Sequence, residues 1–541
     1  MKEPQLPPPD IPSQSANGQT GRPTRFLVIG AGSRGNAYAG AVTKATPGTI
    51  HAVAEPHPFK RREFGRNYIW GTQGSSSEGQ EFADWREWVK WEISRREQAS
   101  KSSNGNGNDN GASTASDTPG PLGVDGVFIC TLDETHVEIV QAIAPLNLHI
   151  LCEKPLALSL QDCLTVYRTL QPPDGETQKP RPPSTIFSIG HVIGDIVSLE
   201  HCEPVGWWHF SHSYVRGNWR RATALGDGSL LTKSCHDIDF ILWLLCSPPS
   251  LETAHASGYE PHFPRSISSF GSLTQFRKAR KPAAAKDATN CLSCPAEPDC
   301  KYSARKIYND RHLAKGHTAW PVDIVSPDIE DVFKENGPKA AEAHLLSRLE
   351  ENYDVAADAD STIAARPWYG RCVYEADNNV CDDQVVTLAW DDEGKAPGRL
   401  AKTATFHMIA PTEQQCQRRG RVYGTSGEIE YDSNKISIYD FATAKTTTID
   451  VPKPPPDQKE SHGGGDYGLA RQFVNAIEAV VNDGLDVETA QARFVGCTLE
   501  EAVMSHAVVF AAEEARREET VVKWKDWWQM KLAASAKAWT A

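Results

Sequence analysis

The sequence has 541 residues, with 56 Lys and Arg against 70 Asp and Glu, which gives a formal net charge of -14. This length exceeds one ordinary core, since domains usually hold roughly 100–200 residues. No basic block follows one face, which argues against nucleic acid as a partner. Without an apolar leader or a run of ~18 apolar residues, we expect neither secretion nor membrane insertion, and a cytoplasmic location.

The first predicted domain follows a Pro-, Gly- and Ser-rich arm at residues 1–23, which holds too little apolar surface to fold. RFLVIG, SRGNAYAGAVTKA and HAVAEP are typical of a strand, a helix and a second strand, a βαβ unit. After a low-complexity insertion at residues 98–123, VDGVFICT and HILCEKP predict further parallel strands. The sequence therefore predicts a Rossmann domain, a doubly wound parallel sheet, at residues 24–183.

The second predicted domain spans residues 184–516 and is followed by a C-terminal tail at residues 517–541. Runs such as DQVVTLAW, RGRVYGT and KISIYDF are typical of strands in an antiparallel sheet. HDIDFILWLL, DYGLARQFVNAIEAVV and the run from Val487 to Arg516 predict helices. We therefore expect an α/β domain built on a large, mostly antiparallel open sheet.

A glycine motif lies between the first predicted strand and helix. Gly30, Gly32 and Gly35 have the spacing G-x-G-x-x-G, which lets the backbone turn sharply and approach a pyrophosphate. Glu55 ends the next strand twenty residues after Gly35, where an acid can bind the adenosine ribose hydroxyls. This favours NAD over NADP, although Arg61 and Arg62 follow closely and are alternative partners for a 2′-phosphate.

Lys154 follows a strand of the same sheet, so it projects from the carboxyl end, where open parallel sheets bind ligands. A lysine there can hold a substrate hydroxyl and accept its proton as hydride leaves carbon. A solvated lysine in the turn before Pro155 is the structural alternative.

The 13 cysteines are scattered through predicted strands and helices, which favours buried thiols over a disulfide framework. Cys291, Cys294 and Cys300 have the spacing C-x2-C-x5-C, but no fourth Cys or His follows at standard zinc spacing. We therefore predict no metal, with zinc as the open alternative.

The motifs GAGSRG, THVEI (135–139) and CEKPLALS resemble the glucose–fructose oxidoreductase, inositol dehydrogenase and rhizopine-catabolism (Gfo/Idh/MocA) family. GDGSLLTKSCHDIDFILWL (226–244) is similar to its second motif, and HGGGDYGLARQF (462–473) is similar to a microbial subgroup. The resemblance extends from Arg25 to about Ala512. It implies an NAD(P)-dependent oxidoreductase of sugars, cyclitols or other polar hydroxy compounds, and homo-oligomers packed through the second domain's sheet.

The resemblance also implies roles for individual residues. Lys154 corresponds to the family's active-site lysine and His236 to its active-site histidine. The implied cofactor-binding set comprises Gly30, Gly32, Ser33, Arg34, Gly35, Glu55, Thr131, His136, Glu153 and Lys154.

The helix around His236 carries the family's second motif with one departure. On a helical wheel His236 lies opposite the apolar arc, flanked by Lys233 and Asp239. Thr232 stands where the family often has Asp, which puts an Asp–His relay in doubt. Either Lys154 and His236 share proton transfer alone, or Lys233 supplies charge near the substrate, and Asp239 is a candidate to orient the imidazole.

Further substrate-binding candidates are Arg216, Asn218 and Trp219 in VRGNWR, because Arg and Asn supply forked hydrogen bonds and Trp stacks on sugar faces. A structural role at a hairpin end is the alternative for this cluster, and His191 is a weaker candidate. Two other functions stay open: an NAD-dependent glycosidase that oxidises its substrate transiently, and a dinucleotide-binding regulator without catalysis. An intact EKP and a retained His236 argue against the regulator.

Overall fold

The computed structural model describes residues 21–104, 123–171, 190–223, 228–246, 261–393, 399–456 and 462–540. They form two compact units. The first unit comprises the residues up to Cys130, Leu146–Leu151 and Pro454–Gly496. The second comprises Thr131–Pro145, Cys152–Lys453 and the residues from Cys497 onward.

The first unit is built on a five-stranded sheet in which the pairs β1–β2, β1–β4 and β2–β3 are parallel. The strand order is β3-β2-β1-β4-β5, with bounds β1 Arg25–Ile29, β2 Thr49–Ala54, β3 Glu81–Phe82, β4 Gly126–Ile129 and β5 His149–Cys152. Its helices are α1 Ser33–Ala45, α2 Pro58–Tyr68 and α3 Trp85–Asn104, joined by two from the C-terminal part that are given below.

Aromatic rings form much of the core of the first unit. The ring of Phe128 lies 5.4 Å from that of Phe26 and 5.2 Å from that of Phe473, a residue more than 340 positions later in the chain. All three side chains are buried. Burial on both sides of β1 and β4 explains why their sequences read as continuous apolar runs.

The second unit is built on a nine-stranded sheet of order β13-β12-β11-β10-β6-β9-β8-β7-β14. Its strands are β6 Ile196–Pro204, β7 Ser266–Ser272, β8 Asp383–Trp390, β9 Lys402–Ile409, β10 Arg419–Gly424, β11 Gly427–Asp432, β12 Lys435–Asp440, β13 Lys445–Asp450 and β14 Val522–Lys523. Each neighbouring pair is antiparallel except the parallel pair β6–β9. Every second residue of β8 is buried, so one face of the sheet covers a core.

The remaining helices are α4 His136–Ile143, α5 Leu160–Thr169, α6 Gly190–Ile193, α7 Trp207–Phe210, α8 Ser229–Cys246, α9 Val322–Val325, α10 Ile329–Asn336, α11 Pro338–Glu350, α12 Asp360–Ala364, α13 Gly465–Val481, α14 Val487–Ala490, α15 Leu499–Arg517 and α16 Trp524–Thr540. Of these, α13 and α14 belong to the first unit and the others to the second. Helix α8 is buried at fourteen of its eighteen residues and packs on α15 and β6. No single helix of the described ranges has the length and apolarity to cross a membrane, although the bent pair Val487–Val495 and Leu499–Arg517 passes on those two criteria.

The fold class is the predicted one, and the differences concern segment boundaries. Residues 454–496 lie in the first unit rather than within the predicted second domain. The segment 517–541, predicted as a tail, contains β14 and α16, and Trp524 and Trp527 are buried there because their rings join the core of the second unit. Helix α3 continues to Asn104, past the predicted start of the insertion at residue 98. Most of the predicted arm and insertion, and the predicted domain boundary at residue 183, lie outside the described residues.

Candidate active site

The glycine motif forms the turn between β1 and α1. Gly30 has φ of 94°, a conformation that glycine adopts without strain. A Cβ at Gly35 would lie 2.0 Å from the carbonyl oxygen of Gly30, whereas a Cβ at Gly32 would meet no atom within 4 Å. Gly32 is the N-cap of α1 and, having no side chain, makes no capping hydrogen bond to the first turn. The open space before the N-terminus of α1 fits the pyrophosphate of a dinucleotide.

Glu55 at the end of β2 lies directly against this turn. Its buried carboxylate accepts hydrogen bonds from the N–H of Ala31 at 2.8 Å and from the N–H of His57 at 2.9 Å. Of the two competing arginines, Arg61 is paired with Glu81 at 3.0 Å, whereas Arg62 is exposed. An acid fixed beside the glycine turn supports the predicted preference for NAD.

Arg34, the second residue of α1, is held by a segment that the sequence analysis did not assign to the site. Both ends of its guanidinium bond to the carboxylate of Asp466, at 2.9 and 3.0 Å. His462 lies 3.1 Å from Arg34 and 2.9 Å from Asp466 through its Nδ1. In the sequence, the HGGGDYGLARQF segment was the feature that could have indicated these contacts.

In the second unit, several residues of the implied cofactor set hold the turn around Lys154. The Nδ1 of the fully buried His136 lies 2.9 Å from the carbonyl oxygen of Pro155. Glu153 is buried and accepts a hydrogen bond from the N–H of Lys154 at 3.3 Å. Thr131 accepts a hydrogen bond from the hydroxyl of Thr135 at 2.7 Å. These contacts position the turn, and cofactor contacts of His136, Glu153 and Thr131 stay predictions.

The structure brings the two predicted catalytic residues to the same helix end. Lys154 is exposed, and its Nζ donates a hydrogen bond at 3.0 Å to the carbonyl oxygen of Thr232 on α8. His236 lies one helical turn after Thr232, with its side chain 37% exposed. The hydroxyl of Thr232 donates to the carbonyl oxygen of Gly228 at 3.1 Å, so the side chain that replaces the family's Asp serves its own helix.

The immediate partners of His236 are Arg418 and Asp237, neither of which the sequence analysis singled out. The Nη2 of Arg418 contacts the Nε2 of His236, and Asp237 Oδ2 lies 3.4 Å from the same nitrogen. Desolvation among packed side chains, helped by the charges of Lys154 and Arg418, lowers the pKa of His236 well below its ordinary value despite the opposing charge of Asp237. The imidazole is therefore neutral at neutral pH.

Asp237 and Arg418 belong to a buried ionic cluster behind His236. Asp237 lies 2.7 Å from Arg418 Nε and 3.0 Å from His201 Nε2. Glu203, which is fully buried, lies 3.1 Å from both Arg418 and Lys233. Lys233 also donates to the sulfur of Cys416 at 3.0 Å. Because Lys233 is buried in this pairing, the structure does not support its predicted place beside the substrate.

Asp239 does not take the predicted role of orienting His236, because its carboxylate is hydrogen-bonded to Ser505 of α15. Burial raises the pKa of Asp239 to about 6, an effect that this hydrogen bond only partly offsets. Asp237 is the acid beside the imidazole. The helical wheel could not indicate which acid lies beside His236, because α8 is buried on its polar side as well as on its apolar side.

The three candidates in VRGNWR divide into one structural residue and two residues suited to contact a ligand. Arg216 is 1% exposed, and its guanidinium donates to the carbonyl oxygens of Arg371 and Tyr302, both at 2.7 Å. Arg216 therefore fastens neighbouring segments, and the structural alternative describes it. Asn218 is exposed, and the half-buried Trp219 donates from its Nε1 to Asp133 at 2.8 Å. Burial raises the pKa of Asp133. Electrostatic interactions with His136 and Lys154 partly oppose this rise.

The cysteine cluster remains a set of free thiols among the described residues. Cys291 is buried and accepts a hydrogen bond from Arg216 at 3.4 Å. Within the described ranges, no group of three or more His, Cys, Asp and Glu side chains is arranged to hold a metal ion. His191, the weaker substrate candidate, has a side chain outside the described part of the chain.

Two models of one protein family match the sequence. The model described as oxidoreductase family, NAD-binding Rossmann fold, matches residues 24–172, and the one described as oxidoreductase family, C-terminal alpha/beta domain, matches residues 189–279. Inositol 2-dehydrogenase 2 from Saccharopolyspora erythraea is 31% identical over 136 residues. That match covers 24% of this chain and 38% of the relative, so the chain matches well under half of that enzyme's length.

Solved structures share the fold at low sequence identity. An oxidoreductase from Agrobacterium radiobacter in complex with NAD+, L-tartaric acid and magnesium is 12% identical, with a TM-score of 0.50 over 93% of this chain and 98% of that chain. Levoglucosan dehydrogenase in complex with NADH is 13% identical, with a TM-score of 0.50 over 93% of this chain and 99% of that chain. An oxidoreductase from Sinorhizobium meliloti is 12% identical, with a TM-score of 0.50 over 93% and 100% of the two chains.

These matches agree with the predicted resemblance, and they support the predicted fold class and the NAD-binding domain. The first family model covers the glycine turn, Glu55 and Lys154, and the second covers the helix that carries His236. Residues 24–172 and 189–279 therefore match the two domain models of the Gfo/Idh/MocA family of NAD-binding oxidoreductases.

Proposed function

We propose that this protein is an NAD(P)-dependent dehydrogenase or reductase that transfers hydride between nicotinamide and a hydroxyl or carbonyl carbon of a sugar-like, cyclitol or other polar small molecule. The observation that carries this proposal is the bond from Lys154 Nζ to the carbonyl oxygen of Thr232. It joins an exposed amine to the end of the helix that carries His236. A protein that only binds dinucleotide has no need of this pair.

In this proposal a bound nicotinamide would supply the hydride chemistry, and the side chains of the protein would bind the substrate oxygen and accept its proton. Lys154, in its neutral form, accepts the hydroxyl proton as the carbonyl forms. His236 is neutral and hydrogen-bonds the same substrate oxygen without adding a positive charge. Arg418, fixed by Asp237, holds the imidazole through Nε2 and is a positioning residue.

The proposed substrate class follows from the exposed side chains near this pair. Asn218 offers both a donor and an acceptor to hydroxyl groups, and the indole of Trp219 offers an apolar face suited to a sugar ring. The similarity to an inositol dehydrogenase supports a polyhydroxylated substrate. NAD is the proposed cofactor because Glu55 lies at the glycine turn.

The test combines binding and turnover on the full-length protein. Thermal-shift measurements with NAD, NADP and a panel of sugars, cyclitols and hydroxy acids find ligands, since a ligand at about 100 times its dissociation constant stabilises by about 2.7 kcal/mol. Each hit is then followed by the absorbance of NADH. Net NADH formation supports the proposal, whereas product without net NADH indicates the glycosidase reaction. Binding of NAD without turnover on any compound of the panel would contradict a dehydrogenase acting on this class.

A further inference from the structure

The HGGGD segment at residues 462–466 lies against the glycine turn of the first unit. His462 contacts Arg34, which is the second residue of α1, and Asp466 binds both ends of the same guanidinium. Asp466 is nearly buried, with a side chain 7% exposed, whereas the imidazole of His462 is 72% exposed. One carboxylate therefore fixes both an arginine and an exposed histidine at the start of α1.

The backbone of this segment is shaped for close approach to another molecule. His462 has φ of 47°, a left-handed conformation that is uncommon for residues other than glycine. Gly463 and Gly464 follow with φ of 62° and 91°, and a Cβ at Gly463 would meet no atom within 4 Å. Strained backbone next to open space is a frequent feature of ligand-binding segments.

The chemistry of the exposed atoms indicates an anion. Asp466 accepts from the Nδ1 side of His462 at 2.9 Å, which leaves the Nε2 of the imidazole directed away from that carboxylate. Burial alone would raise the pKa of Asp466, but hydrogen bonds from His462 and Arg34 lower it to about 2, so it stays ionised. In its imidazolium form, a histidine whose Nδ1–H is held by an ionised carboxylate has a second N–H at Nε2, which can donate to a phosphate oxygen.

We propose that His462, oriented by Asp466 and adjacent to Arg34, would bind the pyrophosphate of the dinucleotide together with the glycine turn. The inference rests on the proposed NAD-dependent function and adds a binding residue from a segment more than 400 positions after the glycine motif. It also accounts for the histidine of the HGGGD motif, since packing alone does not explain it: the exposed imidazole contributes little to the core.

Titration calorimetry of the full-length protein with NAD, ADP-ribose and adenosine tests this proposal. His462→Asn keeps a residue type that tolerates the left-handed conformation but removes the imidazole. Loss of one charge-assisted hydrogen bond should weaken NAD and ADP-ribose about tenfold or more. Adenosine, which lacks the pyrophosphate, should bind unchanged. Asp466→Asn should weaken the same two ligands in the same direction by releasing the imidazole.

His344→Ala is the control, because His344 also pairs with an aspartate, Asp328, at 3.0 Å but lies on a helix of the second unit, with its side chain 28% exposed. It should leave all three affinities unchanged. Unchanged binding of NAD and ADP-ribose by a folded His462→Asn variant would overturn the inference. Equal weakening of adenosine would also overturn it, since the contact would then be to the nucleoside. Absence of NAD binding by the unsubstituted protein would instead overturn the proposed function itself.

Discussion

Lys154 donates its ammonium hydrogen bond to the carbonyl oxygen of Thr232, so the partner of the lysine is backbone rather than a side chain. This relationship explains how the site tolerates a threonine where the family often has an aspartate. A helix carbonyl is present whatever residue occupies position 232. The hydroxyl of Thr232 bonds to Gly228 instead and leaves Lys154 and His236 without a carboxylate at that position.

The first prediction tests both catalytic assignments. Lys154→Ala and His236→Ala should each lower turnover by at least ~100-fold, because the first removes the proposed proton acceptor and the second removes a hydrogen bond to the same substrate oxygen. NAD affinity should change little, and the double variant should be scarcely worse than the worse single variant if the two residues act on one proton. Steady-state kinetics and NAD titrations measure these effects. Near-normal turnover of Lys154→Ala with a verified substrate would contradict its role.

Position 232 supplies the second prediction. Thr232→Asp places a carboxylate one helical turn before His236 and near Lys154, so it should raise the pKa of the imidazole and move the pH optimum of turnover upward. Thr232→Val keeps the carbonyl and serves as the control, with the optimum unchanged. An optimum that moves equally in both variants would show that the hydroxyl, rather than the new charge, is responsible.

The third prediction uses the half-buried carboxyl of Asp239. Its pKa is raised to about 6 in the folded protein, above the ordinary value of 3.8, so folding favours its protonated form. Its ionisation therefore costs stability as pH rises from about 4 through about 6. Asp239→Asn should raise the melting temperature above pH 6 and have little effect near pH 4. Asp287→Asn, at an exposed site, should give no pH-dependent difference. Equal melting curves at pH 7 would argue against a raised pKa.

A fourth prediction concerns cofactor choice. Glu55 is expected to bind the ribose diol and to repel a 2′-phosphate, so NAD should bind more tightly than NADP. Glu55→Gln removes the charge and keeps an acceptor oxygen for one of the two N–H groups, those of Ala31 and His57, and it should narrow the difference between the affinities for NAD and NADP. Tighter binding of NADP than of NAD by the unsubstituted protein would contradict this role of Glu55. It would indicate that Arg61 or Arg62 binds the 2′-phosphate.

A fifth prediction addresses the sheet of the second unit. Phe270 on β7 is 72% exposed, whereas its neighbour Ser269 on the other face is buried. An exposed phenylalanine on a broad sheet supports the expected homo-oligomer through this surface. Phe270→Glu should shift the protein toward monomer in sedimentation experiments, with an unchanged melting temperature at low concentration. If the unsubstituted protein sediments as a monomer, the expected homo-oligomer is contradicted.

The sequence predicted the parts of the site that depend on local spacing. The glycine turn, Glu55 and the Lys154 turn are each set by residues a few positions apart at strand ends, where backbone geometry dictates the residue type. Arg418 was missed because it meets His236 through the packing of α8 on the large sheet, which no short-range pattern records. The sequence left open whether Asp239 orients the imidazole or is a helix-face carboxylate, because periodicity separates apolar from polar faces but does not distinguish a buried polar face from a solvated one.

The first compact unit draws on residues 454–496, and this has a consequence for synthesis on the ribosome. The ring of Phe473 completes the cluster of Phe26 and Phe128, so these two rings lack their partner until more than 470 residues have been made. An N-terminal fragment ending before residue 454 would present apolar surface to chaperones and to other nascent chains. Native folding of the dinucleotide-binding unit is thus completed late in translation, although its glycine motif is among the first segments to emerge.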